Sequence, residues 1–318
     1  MTATTCQSFL GCSIDDDREF AISDYEGGVA KWCTGCGDHA IYTAVKRVLE
    51  LEQLPPEQTV MVSGIGCSSR FPHYFTTYGF HTLHGRALPM ATGIKLRRPD
   101  LHVFVATGDG DCCSIGAGHW VHTTRYNPDM VVLMFDNGAY GLTKNQTSPT
   151  APRGFPSNTQ PRGAFLEPLN PLTGTLGITN ASFVAQTADW IPDHLYETIL
   201  AGYRHKGMAF IRILQRCPQY TSAIYAEAVR DPKLTELLVH PDGINIDRIK
   251  DIYKNHVYHD PSDLVEAHRQ AADPARLLLG LYYRNESAPR LEEVRSVPSR
   301  SVEEKIQILN TELDRYAV

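Results

Sequence analysis

The sequence has no uninterrupted apolar stretch approaching the roughly 20 residues that a membrane-spanning helix needs. Its first residues, Met1-Thr-Ala-Thr-Thr-Cys-Gln-Ser-Phe-Leu10, carry no basic segment followed by an apolar one. A basic stripe is missing as well. Lysines and arginines number 30 against 36 aspartates and glutamates, a formal net charge of −6, so nothing general draws the chain to nucleic acid or to an anionic membrane. Internal repeats and low-complexity tracts are also absent, which excludes solenoids and disordered linkers as the dominant architecture. What is present is the composition of an ordinary globular chain: 318 residues, 42% hydrophobic and 21% charged. These exclusions lead to an expected cytoplasmic protein, in which the eight cysteines are reduced thiols and clustered ones serve as metal ligands or catalytic groups rather than disulfides.

Apolar, β-branched runs at Thr59–Ser63, Leu101–Ala106, Met130–Phe135 and Ala209–Leu214 read as buried strands. Between them lie helical patterns. Asp38 is placed to cap a helix with Ile41, Ala44, Val45, Val48 and Leu49 on its apolar face, and Pro192 opens another through Leu195, Ile199 and Tyr203. This alternation predicts an α/β domain, a mainly parallel sheet with helices on both faces, over residues 1–225. Residues 145–180 are rich in Pro, Thr, Gly and Asn and read as a long functional or partner-bound loop. Beyond Tyr225 the character changes, and residues 226–318 read as a C-terminal helical arm contacting a partner, ending in a helix with Val302, Ile306, Leu309 and Leu313 on one face.

Ligands of parallel sheets bind beyond the carboxyl ends of the strands. Three Gly-rich loops fall there: Ser63-Gly-Ile-Gly-Cys-Ser-Ser69, Thr107-Gly-Asp-Gly-Asp111 and Asp136-Asn-Gly-Ala-Tyr-Gly141. Asp109 and Asn137 are separated by the length of one crossover helix, so a β-α-β unit brings them to neighbouring strand ends. There a carboxylate and an amide oxygen can share a magnesium ion with a diphosphate, while Gly108 and Gly110 let backbone amides approach the phosphates. The pattern resembles the thiamine-diphosphate fingerprint, Gly-Asp-Gly followed some way on by Asn. That resemblance implies magnesium ligation by Asp109, Asn137 and the carbonyl of Ala139, with Thr143 contacting the diphosphate.

The cysteines form a second constellation. Cys33 and Cys36 sit on one CxxC turn, Cys67 in the first Gly-rich loop, and Cys217 in Gln215-Arg-Cys-Pro218 after the last strand. Four thiolates suit structural zinc or an iron–sulfur cluster equally well by spacing. Cys67 belongs to a loop that should line the cofactor cleft, where a redox cluster has a role and structural zinc has none.

Taken together, Cys33-Thr-Gly-Cys36-Gly-Asp-His39, Gly64-Ile-Gly-Cys67-Ser-Ser69, His84-Gly-Arg-Ala-Leu-Pro89, Gly108-Asp-Gly-Asp111, Tyr140-Gly-Leu-Thr-Lys-Asn-Gln146 and Cys217-Pro218 closely resemble the β subunit of 2-oxoacid:ferredoxin oxidoreductases. The resemblance implies a thiamine-diphosphate-binding fold and a 4Fe-4S cluster on Cys33, Cys36, Cys67 and Cys217. It also implies that Gly66, Cys67, Ser68, His84, Asp111, Tyr140, Gly141 and Leu142 lie beside the cofactor. The implied reaction is oxidative decarboxylation of a 2-oxoacid with coenzyme A to an acyl-CoA and carbon dioxide, or its reverse, with single electrons passing to ferredoxin. An α subunit in an αβ or (αβ)2 assembly would supply the glutamate that activates the cofactor's pyrimidine. Lys144, where pyruvate enzymes of this kind usually have Gly, resembles the type acting on 2-oxoglutarate, with Arg70 as a helper, and the product would then be succinyl-CoA. In this sequence Asn145 stands where many relatives have Gly. The rival reading is a non-redox thiamine-diphosphate decarboxylase or carboligase with structural zinc on the same thiols.

Overall fold

The computed structural model describes residues 18–273, 276–295 and 300–316. Eleven strands are formed among the described residues: β1 (Thr59–Ser63), β2 (Tyr78–His81), β3 (His102–Gly108), β4 (Met130–Asp136), β5 (Ala139–Tyr140), β6 (Gln146–Thr147), β7 (Phe183–Ala188), β8 (Met208–Leu214), β9 (Thr235–Val239), β10 (Asn255–Tyr258) and β11 (Leu277–Arg284). Nine of them make one sheet in the order β10-β9-β11-β7-β8-β4-β3-β1-β2, and β5 and β6 pair as a separate small hairpin. Every neighbouring pair in the large sheet is parallel except β11 with β7.

Residues of the central strands are buried whichever face they point to, because side chains alternate and both faces are covered. One face carries Met61, Phe104, Leu133 and Ile211, packed with Ile41, Val45, Val48 and Leu49 of α1 (Asp38–Leu51) and with Leu195 and Ile199 of α5 (Pro192–Arg204). On the other, Val60, Val62, Val105, Val132 and Met134 meet Leu88 and Ala91 of α2 (Ala87–Arg97), Trp120 of α3 (Ala117–Tyr126), and Leu172 and Leu176 of α4 (Pro171–Leu176). Helix α4 lies inside the segment expected to be a long loop. Asn170 starts it, its Oδ1 accepting from the amides of Leu172 and Thr173 at 3.0 and 3.3 Å.

Two sequence expectations are corrected here. Asp38 does not cap α1: Gly37 holds the N-cap position, and the Asp38 carboxylate is buried in the first turn with neither oxygen hydrogen-bonded. The segment past Tyr225 is not a purely helical arm either, since β9, β10 and β11 extend the sheet. The apolar run Leu277–Leu281 has no period of its own, and pairing with β7 and β9 makes it a strand. Only the last helix, Val302–Asp314, stands apart. It is closed by a capping box, Ser301 Oγ accepting from the Glu304 amide and the Glu304 carboxylate from the Ser301 amide, and Val302, Ile306, Leu309 and Leu313 are all exposed. Among the described residues no helix is long and apolar enough to cross a membrane.

Candidate functional site

Parallel pairing puts the carboxyl ends of β1, β3, β4 and β8 side by side, Ser63 against Ala106, Gly108 against Phe135, and Asp136 against Leu214. The three Gly-rich loops therefore converge. They enclose a cavity of about 230 Å³ lined by Gly66, Cys67, Ser68, His84, Gly108, Asp109, Gly110, Asp111, Asn137, Ala139, Tyr140, Gly141, Leu142 and Thr143, with Asp38, Ile65 and Phe135 completing the wall. Every residue expected beside the cofactor is thus at one place. Lys144, Arg70, Cys33, Cys36 and Cys217 are outside that lining.

Asp111 lines the cavity, yet its carboxylate is fully engaged in holding two loops. Oδ1 accepts from the amides of Ile65 (3.0 Å) and Gly85 (2.7 Å) and from His84 Nδ1 (2.6 Å), and Oδ2 accepts from Thr107 Oγ1 (2.7 Å). With Nδ1 donating to this carboxylate, His84, itself a lining residue of the cavity, keeps Nε2 as its free valence. The first loop passes so close that a Cβ on Gly64 would sit 2.0 Å from Asp111 Oδ2, and one on Gly110 would lie 2.3 Å from the Tyr140 ring. Glycine is required at both positions by space alone.

Asp109 and Asp136 form a buried carboxylate pair. One hydroxyl, Thr150 Oγ1, lies 2.6 Å from Asp109 Oδ2 and 2.7 Å from Asp136 Oδ1, and its single proton serves one of them at a time. Arg212 neutralises Asp136, with its Nε and one terminal nitrogen 2.7 and 2.6 Å from Oδ2. Asp109 has no such partner, and burial together with the Asp136 charge raises its pKa. A divalent cation on the cavity side is the counter-charge this donor set is suited to. Asn137, on the same cavity wall, is held by two bonds: Nδ2 donates to Gln215 Oε1 at 2.7 Å and Oδ1 accepts from the Ala139 amide at 3.0 Å. Ser68 Oγ and both Asp38 oxygens are buried without hydrogen-bond partners, and burial lifts the Asp38 carboxyl to about 7. Unsatisfied polar atoms on a cavity wall mark where a ligand would supply the missing bonds.

The thiols of Cys33, Cys36, Cys67 and Cys217 are all free. Cys33 and Cys36 close a turn through a 3.0 Å bond from the Cys36 amide to the Cys33 carbonyl, and the Gly37 amide donates to the Arg216 carbonyl at 3.0 Å, which brings the strand preceding Cys217 onto that turn. Trp32 Nε1 donates to the Cys67 carbonyl at 2.7 Å and so ties in the third loop. Burial pushes the Cys67 thiol up to about 12, with the Asp38 carboxylate and the neighbouring Cys217 and Cys33 adding to the rise, and burial and Asp38 raise Cys36 further. Such thiols stay protonated unless cationic metal takes the proton's place. Among the described residues no three His, Cys, Asp or Glu side chains converge tightly enough to bind a single ion.

Thr143 and Lys144 lie in the turn between β5 and β6. Thr143 Oγ1 hydrogen-bonds Gln146 Oε1. Lys144 and Asn145 are both left-handed, with φ of 73° and 71°, which explains why asparagine replaces glycine at 145, since it tolerates that region better than other side chains. Arg70 points elsewhere: it donates to the Lys31 carbonyl at 3.1 Å and lies over the Tyr74 ring. As site residues, Asp38, Thr150 and Gln215 are missed by the sequence reading, which makes Asp38 only a helix cap. Asp38 directly follows the CxxC-Gly turn and Gln215 closely precedes Cys217, so proximity to the cysteines was the available signal for both. Thr150 carried none.

Residues 64–213 match the family described as thiamine pyrophosphate enzyme, C-terminal TPP binding domain. The chain is 40% identical over 270 residues to the 2-oxoacid:ferredoxin oxidoreductase subunit beta of a Sulfolobus species, covering 82% of this chain and 84% of that one. It is 43% identical over 236 residues to the 2-oxoglutarate oxidoreductase subunit KorB of Mycobacterium tuberculosis, covering 74% and 60%. Among solved structures it resembles the 2-oxoglutarate:ferredoxin oxidoreductase of Magnetococcus marinus with 2-oxoglutarate, coenzyme A and succinyl-CoA bound, at 35% identity and a TM-score of 0.78, covering 93% of this chain and 97% of that chain.

Proposed function

This chain belongs to the β subunits of 2-oxoacid:ferredoxin oxidoreductases, thiamine-diphosphate enzymes by their domain, and on that footing we propose that it oxidises 2-oxoglutarate with coenzyme A to succinyl-CoA and carbon dioxide, passing electrons through a 4Fe-4S cluster to ferredoxin. One observation carries the reading: Cys67 lines the same cavity as Asp109 and Asn137. A thiolate of the proposed cluster is thereby a wall of the proposed cofactor site.

In this reading Asp109, Asn137 and the Ala139 carbonyl hold magnesium, and Gly108 and Gly110 leave room for the diphosphate. Ser68 and His84 face the cofactor with open hydrogen-bonding positions, and Asp111 keeps His84 in one tautomer. When bound, thiamine diphosphate stabilises the carbanion left by decarboxylation, and a cluster beside it accepts electrons singly. Cys33, Cys36, Cys67 and Cys217 hold the cluster, whose corners lie farther apart than the ligands of one ion.

Among the described residues no glutamate lines the cavity, and its volume is below the roughly 300–1,000 Å³ of complete ligand sites. Both features suit half a site. The other half, with the glutamate that activates the pyrimidine, is assigned to an α subunit in an αβ or (αβ)2 assembly. The exposed apolar stripe of Val302–Asp314 is a natural contact for it, because a lone helix of this length is marginal in water. Lys144, outside the cavity lining but next in sequence to Thr143, would meet the distal carboxylate of 2-oxoglutarate by reaching in from the rim; Arg70 would have to leave the Lys31 carbonyl to assist. The 2-oxoglutarate assignment draws further support from the relatives named above.

The test is anaerobic co-purification with the α subunit, followed by iron analysis and 2-oxoglutarate-dependent reduction of a viologen dye. Iron and activity in the complex, with no activity in the β chain alone, are expected. A colourless complex holding zinc would overturn the redox reading, and full activity of the lone chain would overturn the split site.

A further inference from the structure

Gln215 sits at the end of β8, 1% exposed, between the two halves of the site. Its Oε1 accepts from Asn137 Nδ2 at 2.7 Å, and its Nε2 donates to Cys36 Sγ at 3.2 Å and to the Arg216 carbonyl at 2.5 Å. The backbone amide, donating to the Asp136 carbonyl at 2.9 Å, fixes the residue beside Asn137. Both N–H donors and the oxygen of this side chain are therefore engaged within the site.

We propose that Gln215 is a positioning residue that couples the cofactor's metal site to the cluster, orienting Asn137 for magnesium and donating an N–H to the Cys36 thiolate. The inference rests on the function proposed above. Its physical basis is the polarity of a chain of two amides. A thiolate only accepts, so the Gln215 NH2 group must face Cys36 and its oxygen must face Asn137. Asn137 then has to donate from Nδ2, which leaves Oδ1, through the lone pair not taken by the Ala139 amide, as the atom available to a cation. Each end of the relay favours the same orientation at the other, and the Ala139 amide on Asn137 Oδ1 and the Arg216 carbonyl on Gln215 Nε2 agree with it. Partners of metal ligands that act in this way are worth 10–100-fold in metal affinity. An N–H donated to a cluster sulfur favours the reduced, more negative state and raises the reduction potential.

The measurement is made on the loaded αβ complex, with iron content and thermal midpoint as controls. Gln215→Leu removes both bonds at similar size: magnesium-dependent thiamine-diphosphate binding should weaken about tenfold or more, and the EPR-monitored potential of the cluster should fall. Gln215→Glu keeps the acceptor for Asn137 but loses the donor to Cys36, so metal affinity should stay within a few-fold of wild type while the potential falls at least as far. A residue that merely fills space would leave both quantities unchanged in Gln215→Leu, and that result overturns the proposal. Should either variant fail to hold iron, the wild-type complex decides. With glutamine side-chain amides labelled with nitrogen-15, pulsed EPR of the reduced cluster should detect a weakly coupled amide nitrogen. Iron-loaded wild type without that coupling overturns the relay alone. Wild type without iron overturns the function beneath it and the relay with it.

Discussion

The two ends of the parallel sheet arrange their buried polar groups differently. At the amino-terminal end, Lys95 is 3% exposed and donates to the carbonyls of Pro99 and Leu101, both at 2.9 Å. Asn127 there accepts from the Met208 amide at 2.7 Å and from Ser182 Oγ at 2.6 Å, and donates to the Pro289 carbonyl at 3.3 Å. These bonds hold loops together, and of two unpartnered atoms at this end, His205 Nδ1 and Glu292 Oε2, only the first belongs to a residue lining the adjacent cleft. At the carboxyl end, Asp38 and Ser68 are left without partners, and Asp109 shares one hydroxyl with a second carboxylate. Burial of a polar group without a bond costs about 1–3 kcal/mol, so several such groups around one cavity mark a place where a ligand would complete them. The gathering of Asp38, Ser68 and Asp109 on one cavity wall is what distinguishes the carboxyl end.

The strongest way to break this contrast is Asp109→Ala. Removing the unpaired carboxylate should weaken diphosphate binding by several kcal/mol and abolish oxoacid-dependent dye reduction, while urea unfolding of the chain changes little or shows a gain, because a buried charge is lost. A large loss of stability instead would mean that Asp109 is structural. Asp111→Asn should do the reverse. It disturbs four hydrogen bonds to two loops and is expected to cost about 3 kcal/mol in denaturant unfolding, with cofactor affinity falling only as a consequence of looser loops.

Smaller effects sharpen the comparison. Lys144→Gly should raise KM for 2-oxoglutarate relative to pyruvate by one to two decades, about 2 kcal/mol. It should also stabilise the turn slightly, since a left-handed lysine is strained. Equal changes for the two substrates would remove Lys144 from the specificity assignment. At the opposite end, Lys95→Met leaves the Pro99 and Leu101 carbonyls without their donor; an adjacent cleft admits water to them, so a loss of about 1 kcal/mol is expected. Cofactor binding measured by calorimetry should not respond.

Much of this organisation was legible in the residues. The buried runs that became β1, β3, β4 and β8, the apolar faces of α1 and α5, and the Gly-rich strand ends all depend on local pattern, and local pattern is what a sequence displays. Cys33 and Cys36 are close because three residues make a turn. The C-terminal strands were not legible: β9 and β10 are short, β11 is a plain apolar run, and pairing with the existing sheet edge decides their state. The same holds for α4, whose six residues are helical largely because Leu172 and Leu176 have a sheet face to cover.

By itself, then, the sequence determined which loops stand at the strand ends and which residue types they carry, since both follow from period and spacing within a single β-α-β unit. Only the tertiary structure decided that Gln215 links Asn137 to Cys36, that Thr150 bridges Asp109 and Asp136, and that Asp38 is stranded without a partner. Asn137 and Gln215 are 78 positions apart along the chain, and a hydrogen bond across such a distance exists only after the sheet has brought two strand ends within 3 Å of each other.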